Sequence, residues 1–430
     1  MDILFKNITV VTMDAENPVL TNVNVGITGR KITFISQEEP TERPLRTING
    51  ANKVLMPGLY NCHSHGAMAM FRGYANDRTL EDWLFNYIFP AESKWTPELI
   101  RTGANLAMAE MISSGTISFT DMYSIMDITA QAAQEAGMLA NISNGIITFD
   151  PENFDYYKSK EHEQTARALD ALAGDRIKIE ASIHGCYTSH PAAWHQVRDF
   201  ARKHNLGMHV HLSETKTEQE GCIAKFGKTP AAIFAEHGVF DVPTTAAHAV
   251  WVTDDDMKIL SEKNVTVSHC PISNLKLASG LAPVQKMKAA GINVAIGTDG
   301  VASNNSHDLF EELKMASILQ KYALEDPTAL PAFETMQMAT VNGAKSQGRA
   351  HESGMIKEGY DADVLLLDFD NPRQTVCYDP MLNLAYSTSG RDVEMTIVRG
   401  KVLYEKGEYK TIDIEKTLHD ARRAKEIFLN

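Results

Sequence analysis

Apolar and polar positions along the chain change their spacing twice. Up to about residue 55 they alternate in short runs: ILFKNITVVT, NVNVGITGRKITFIS around a Gly-Arg turn, and ANKVLMPG after a polar loop. A two-residue period broken by turns predicts antiparallel strands. The same style returns from Gly354 in ADVLLLDFD and EMTIVRGKVLYEKGEYK, ahead of a final charged helix. Two β-rich ends of this kind can pair, which predicts a small β-sandwich from residues 1–56 and 356–430.

Between them, short apolar runs alternate with amphipathic stretches such as PELIRTGANLAMAEMISS and SHDLFEELKMASILQKYAL. That alternation marks an α/β fold with a parallel sheet. Eight such runs occur: VLMPGLYNCH, SGTISFTDM, GMLANISNGI, RIKIEASIHG, LGMHVHLSE, TTAAHAV, NVTVSHCP and INVAIGTDG. Eight β/α units predict a (β/α)8 TIM barrel over 57–355, whose functional residues cluster just past the carboxyl ends of the strands.

Composition narrows the partners. With 41 basic and 55 acidic residues among 430, the net charge is −14, which argues against nucleic acid or an anionic membrane. No apolar run approaches the roughly 18 residues of a membrane span. The start, MDILFKNITVVTMDAENP, lacks the basic and apolar regions of a signal peptide. Five scattered cysteines, never in a CxxC pair, are no disulfide framework and fit a reducing cytoplasm.

The 15 histidines change the picture most. His63 and His65 end the first barrel strand two residues apart, so both imidazoles point the same way. A metal can take both, and a hydrogen-bonded loop pair is the alternative. On the fifth strand, His211 is the residue that reaches the mouth, while His209 lies deeper in the barrel wall. Glu214, three residues on, is placed as a general acid/base or as a carboxylate at a helix start. Asp299 ends the eighth strand, His248 the sixth and His184 the fourth. Each alone reads equally as a structural His or a helix-capping Asp. Together, six such groups at the tops of five strands are hard to place in a bland core, because burying polar groups without partners is costly. Three His and one Asp make a shell for one divalent metal, Zn²⁺ by default with Fe²⁺ or Mn²⁺ also fitting, and leave a position for water. Bound water then has its pKa lowered from about 15.7 towards about 7.

The motifs PGLYNCHSH, LEDWLFNYIFPAE, SGTISFTDMY, HVHLSET, AAHAVWV, SHCPISNLKLASG, GTDGVASNN and KEGYDADVLLLD span nearly the whole chain. In them the chain resembles the amidohydrolase superfamily, in the branch of S-adenosylhomocysteine/5′-methylthioadenosine deaminases and related chlorohydrolases. The resemblance implies His63, His65, His211 and Asp299 as metal ligands, Glu214 as proton shuttle, and His248 as the group that orients and polarises the attacking hydroxide. It implies attack of metal-bound hydroxide on the purine C6 of an adenine nucleoside, with Asp299 taking the water's proton. Members with two metals carry a carboxylated lysine at the end of strand four. This chain has His184 there and Lys178 at the other end, so one metal is expected.

The resemblance also makes Glu92, in FPAE, the holder of the ribose diol, with Trp83 and His184 as further substrate contacts. The alternative for Glu92 is a loop cap through Arg78 or Lys94. Some relatives carry an arginine after strand three that meets the homocysteine carboxylate. Here the chain reads NGIITFDPENFDYYKSK, leaving Lys158 or Lys160 as replacements. The substrates expected are 5′-methylthioadenosine, S-adenosylhomocysteine, 5′-deoxyadenosine or adenosine. Guanine, cytosine or an s-triazine is the alternative within the fold, and a non-catalytic scaffold is the alternative outside it. The family also implies a homo-oligomer, dimer or tetramer.

Overall fold

A computed structural model describes residues 1–429. Eight parallel strands form the barrel: Leu59–Ser64, Thr116–Met122, Leu139–Ser143, 177–183, Met208–Leu212, Thr244–His248, Thr266–His269 and Asn293–Ile296. Nearly all of their residues are buried, because helices cover the outer face and side chains fill the inner one. The fourth strand is interrupted at Glu180. Its halves remain in line, since the Glu180 N–H donates to Ile142 O at 2.9 Å and the Ala181 N–H to Gly207 O at 2.9 Å.

The eighth strand meets the first where the Asp299 N–H donates to His63 O at 3.0 Å. This approach requires Gly297, because a Cβ there would lie 2.8 Å from His63 N. Closure therefore sets Asp299 directly beside His63, and a glycine in GTDG is what permits it.

The two chain ends build one connected nine-strand sheet in which Lys53–Pro57 lies between Ile3–Val11 and Val364–Asp368. Strand alternation splits its side chains. Val364 and Leu366 turn inward with Phe5, Ile8, Val25 and Leu55 to make the sandwich core. Leu365 and Leu367 turn outward and join the barrel core with Val54, Met56 and Ile117. Each fully buried Val or Leu contributes about 1.5–3 kcal/mol, so the run DVLLLD fastens the sandwich to the barrel through alternate residues. An ion cluster reinforces the seam: buried Asp361 binds Arg30 at 2.6 Å and Lys31 at 2.6 Å, and Arg399 reaches Asp175 on the barrel at 2.9 Å.

The last helix, Ile414–Leu429, leaves this sheet and packs on the barrel. Phe428 sits edge-on to Phe71 and Trp95, each with ring centroids 4.9 Å apart, and so buttresses the loop after the first strand. Among the described residues, no helix is long and apolar enough to cross a membrane.

Candidate metal centre

The carboxyl ends of strands one, five, six and eight bring His63, His65, His211, His248 and Asp299 together. Facing atoms of His63, His65 and Asp299 lie within 4.8 Å of one another, as do those of His63, His211 and His248. Asp299 Oδ1 is 3.4 Å from His63 Nε2 and 3.2 Å from His65 Nε2, and His65 Nε2 is 3.4 Å from His211 Nε2. The backbone is left-handed at Ser213, His248 and Asp299, with φ of 49°, 74° and 64°. Non-glycine residues adopt this region at a cost, and two of these three carry their side chains into the cluster.

Each imidazole is held by its other nitrogen. His65 Nδ1 faces Met122 O at 2.6 Å, His211 Nδ1 faces His184 O at 2.7 Å, and His63 Nδ1 faces His209 Nε2 at 2.8 Å. A carbonyl at Nδ1 fixes the proton there and leaves Nε2 as a lone pair aimed into the cluster. His63 Nε2 is buried with no hydrogen-bond partner. Burial holds His63 down to about 4 and His211 well below the usual imidazole range, so both are neutral. Burial alone would lower His65 too, yet the Asp299 carboxylate pushes it up to about 9. Burial would likewise raise Asp299, but the His63 and His65 imidazoles outweigh it and hold the carboxyl well below its ordinary range. This corner demands a positive charge. The neutral Nε2 atoms of His63 and His211 beside an ionised carboxylate, with His65 able to exchange its extra proton for a metal, are a donor set that fits a divalent cation.

Asp299 Oδ2 is occupied, accepting from Ser273 Oγ at 2.6 Å and Ser303 Oγ at 2.8 Å. The carboxylate thus presents Oδ1 to the cluster. His248 Nδ1 is fixed by Asn274 Oδ1 at 2.8 Å, and its Nε2 points at Glu214 Oε2, 3.8 Å away. Glu214 is buried, and that burial raises its pKa. Its position is set from behind: Glu218 accepts the N–H groups of Ser213 at 3.1 Å and Glu214 at 2.7 Å. A carboxyl that can hold a proton therefore stands beside the cluster on a braced backbone.

A cavity opens over these groups, and Trp83, Glu92 and His184 all line it. Glu92 accepts a hydrogen bond from the Tyr123 hydroxyl, which in turn accepts from Trp95 Nε1 at 3.0 Å. Burial pushes Glu92 up to about 7. The loop-cap alternative for Glu92 finds no support: Arg78 pairs with Asp82 at 3.1 Å, and Lys94 donates to the Ile427 and Phe428 carbonyls. His184 is kept neutral by burial, and its Nδ1 meets Thr188 Oγ1 at 2.9 Å. Lys158 and Lys160 are exposed and line no part of this cavity. Lys178 lies at the far end of the barrel, donating to Gln347 O at 3.0 Å and Gly348 O at 2.7 Å.

Several supporting residues escape sequence reasoning. Asp121 accepts from the Gly66 N–H at 2.5 Å and Ser64 Oγ at 3.1 Å, which fixes the turn that carries His65. Tyr123, Glu218, Ser273, Asn274 and Ser303 act in the same supporting way, and His209, deeper in the barrel wall as expected, is also a direct partner of His63. Position is a signal for two of them, Glu218 and Ser303, each four residues after Glu214 or Asp299, whereas Asp121 and Tyr123 lie at the end of strand two, which no candidate His, Asp or Glu marks.

Comparison with known proteins agrees with this geometry. The model of the amidohydrolase family matches residues 54–403. A 5-methylthioadenosine/S-adenosylhomocysteine deaminase from Caldanaerobacter subterraneus subsp. tengcongensis is 43% identical over 423 residues, 98% of each chain. A 5′-deoxyadenosine deaminase from Methanosarcina acetivorans is 43% identical over 425 residues, 99% of this chain and 98% of the relative. Among solved structures, an adenosine deaminase from Xanthomonas campestris with bound zinc superimposes with a TM-score of 0.92 at 31% identity, covering 99% of this chain and 98% of that one. With the matched model covering most of its length and relatives spanning nearly all of it, the chain belongs to the amidohydrolase family.

Proposed function

We propose that this protein is a metal-dependent hydrolytic deaminase of adenine nucleosides, converting the adenine ring to hypoxanthine with release of ammonia. The observation that carries this reading is a single cavity shared by the His–Asp cluster, the Glu214 carboxyl and the half-buried carboxylate of Glu92. Nucleoside deaminase names among full-length relatives support it.

His63, His65, His211 and Asp299 would hold one divalent metal, zinc by first choice. When bound, it supplies a lowered water pKa, so that hydroxide is available near neutral pH. Asp299 Oδ1 accepts the proton of the attacking water, its other oxygen being engaged by Ser273 and Ser303. His248, fixed through Asn274, turns Nε2 toward the nucleophile and orients it. Glu214, whose pKa burial raises, donates to the purine ring nitrogen as C6 becomes tetrahedral, then helps deliver a proton to the departing amine. Loss of aromaticity makes that tetrahedral species the costly one, so groups aimed at it favour it over bound substrate. One water is consumed, and one ammonia leaves.

The free oxygen of Glu92 accepts from the ribose diol, while Trp83 and His184 flank the nucleoside. A cytoplasmic homo-oligomer is the setting we expect, in keeping with five free cysteines. The test is ammonia release and the ultraviolet shift of adenine to hypoxanthine, measured on methylthioadenosine, 5′-deoxyadenosine, adenosine, guanine, cytosine and an s-triazine. Turnover confined to the adenine nucleosides is the expected result. Activity on a free base or triazine alone would displace the nucleoside reading.

A further inference from the structure

The cavity over the cluster is largely apolar and without a permanently cationic side chain. Glu92, Glu214 and Asp299 face it, the remainder of its wall is mainly histidine, aromatic and aliphatic, and no lysine or arginine lies among the residues that line it. Nearby cations are engaged elsewhere. Lys158 pairs with Asp155 at 2.7 Å on the surface with 82% of its side chain exposed, and Arg167 pairs with Asp127 at 2.8 Å. Arg78, besides its pairing with Asp82, lies 3.9 Å over the Tyr87 ring.

On the strand-three side, where the chain runs Asn144-Gly145-Ile146-Ile147, the wall is Gly145 and Ile147, with Phe149 64% exposed beyond. The Asn144 amide is turned away from the cavity, donating to Glu161 O at 2.9 Å and Thr165 Oγ1 at 3.1 Å.

Building on the nucleoside reading above, we infer that this site selects adenine nucleosides whose 5′ substituent is uncharged, such as methylthio or hydrogen, and discriminates against those ending in a carboxylate, such as S-adenosylhomocysteine. A methylthio group gains contact with aliphatic and aromatic walls. A carboxylate in the same place gives up hydration without gaining a cation.

One route around this exclusion exists on the other side. A second chamber of about 810 Å³ shares Leu80, Leu84, Tyr187, Glu214 and Leu277 with the first and has Lys216 and Lys225 in its wall. Lys216 stands 3.5 Å from Glu220, whereas Lys225 rests 4.8 Å over the Phe226 ring. Glu81 and Glu218 line the chamber as well, so it offers a mixed rather than a cationic surface.

The experiment compares kcat/KM of the zinc-loaded enzyme on a length-matched pair, 5′-thioether adenosines with a four-carbon chain ending in a carboxylate or in its neutral amide. Methylthioadenosine, S-adenosylhomocysteine and adenosine are run alongside. The amide is expected to exceed the carboxylate by about tenfold or more, the scale of an ionised group left without a partner, and methylthioadenosine to exceed S-adenosylhomocysteine by at least as much. Ile147→Arg, which brings a guanidinium to the wall, is expected to narrow the amide-to-carboxylate gap. A gap below tenfold in the wild type overturns the inference. So does a gap that Lys225→Ala widens, because Lys225 would then already be serving the carboxylate. Failure to deaminate adenosine, methylthioadenosine and the amide alike would instead sink the nucleoside reading, so the two failures are told apart.

Discussion

At the carboxyl ends of the barrel strands, His63 keeps a bare Nε2 in a fully buried setting. At the amino ends, Arg349 is equally buried, but its Nη groups donate to the carbonyls of Asp175, Arg176 at 2.9 Å and Ala140 at 3.3 Å. Both ends bury polar chemistry in the same barrel. One joins neighbouring segments of backbone, while the other holds lone pairs and a carboxylate in readiness for a cation and a substrate. The difference teaches that burial by itself does not mark function in this fold. What marks it is convergence: His65, His211 and Asp299 gather around the unpartnered Nε2 of His63, whereas among the described residues nothing of that kind gathers around Arg349.

The comparison breaks most visibly if the upper cluster proves merely structural. His63→Ala is expected to abolish stoichiometric metal in elemental analysis and to reduce kcat/KM further than Glu214→Gln does. For Glu214→Gln, which keeps the metal, the expected loss is about 10²–10⁴-fold, the range of a general acid. Unchanged metal content in His63→Ala would contradict the assignment of that nitrogen.

A smaller effect tests the brace behind the ligand. His209→Ala removes the acceptor of His63 Nδ1 and is expected to weaken metal affinity by about 10–100-fold in a chelator competition. No change in affinity would leave His209 as a packing residue of the barrel wall only.

At the opposite end the readout should switch from activity to stability. Arg349→Met strands several buried carbonyls, each costing about 1–3 kcal/mol, so a lower thermal midpoint is expected, with kcat/KM of the folded enzyme at 25 °C within about twofold of wild type. Loss of activity at an unchanged midpoint would erase the distinction between the two ends.

The smallest expected effect is a pH dependence. Burial raises Glu92 to about 7, so its carboxylate forms only as pH rises through that value, and diol binding follows the carboxylate. KM for methylthioadenosine should therefore rise severalfold as pH falls below about 7, and Glu92→Gln should flatten that profile. A slope that persists in Glu92→Gln assigns the titration to another group.

Much of this was legible in the sequence for a physical reason. Barrel strands are buried on both faces, so they read as short apolar runs, and the first polar residues after each run fall at the mouth. That is how His63, His65, His211, Glu214, His248 and Asp299 stand out in a sequence without coordinates. Supporting contacts are harder to read because they join segments distant along the chain. Asp121 braces the turn after Ser64, Tyr123 meets Glu92, and Asn274 meets His248 across 26 residues. Nor does an amphipathic pattern name its partner. The apolar face of the last helix is plain in IEKTLHDARRAKEIFL, but its docking on Phe71 and Trp95 is a tertiary event.

The most direct test of the contrast between the two ends is a metal titration. Metal-free protein is titrated with Zn²⁺ while 5′-methylthioadenosine deamination is followed by ammonia release. Activity is predicted to rise linearly and to saturate at one equivalent per chain. Full activity before any metal is added, saturation only at two equivalents, or no activity with the metal bound would contradict it.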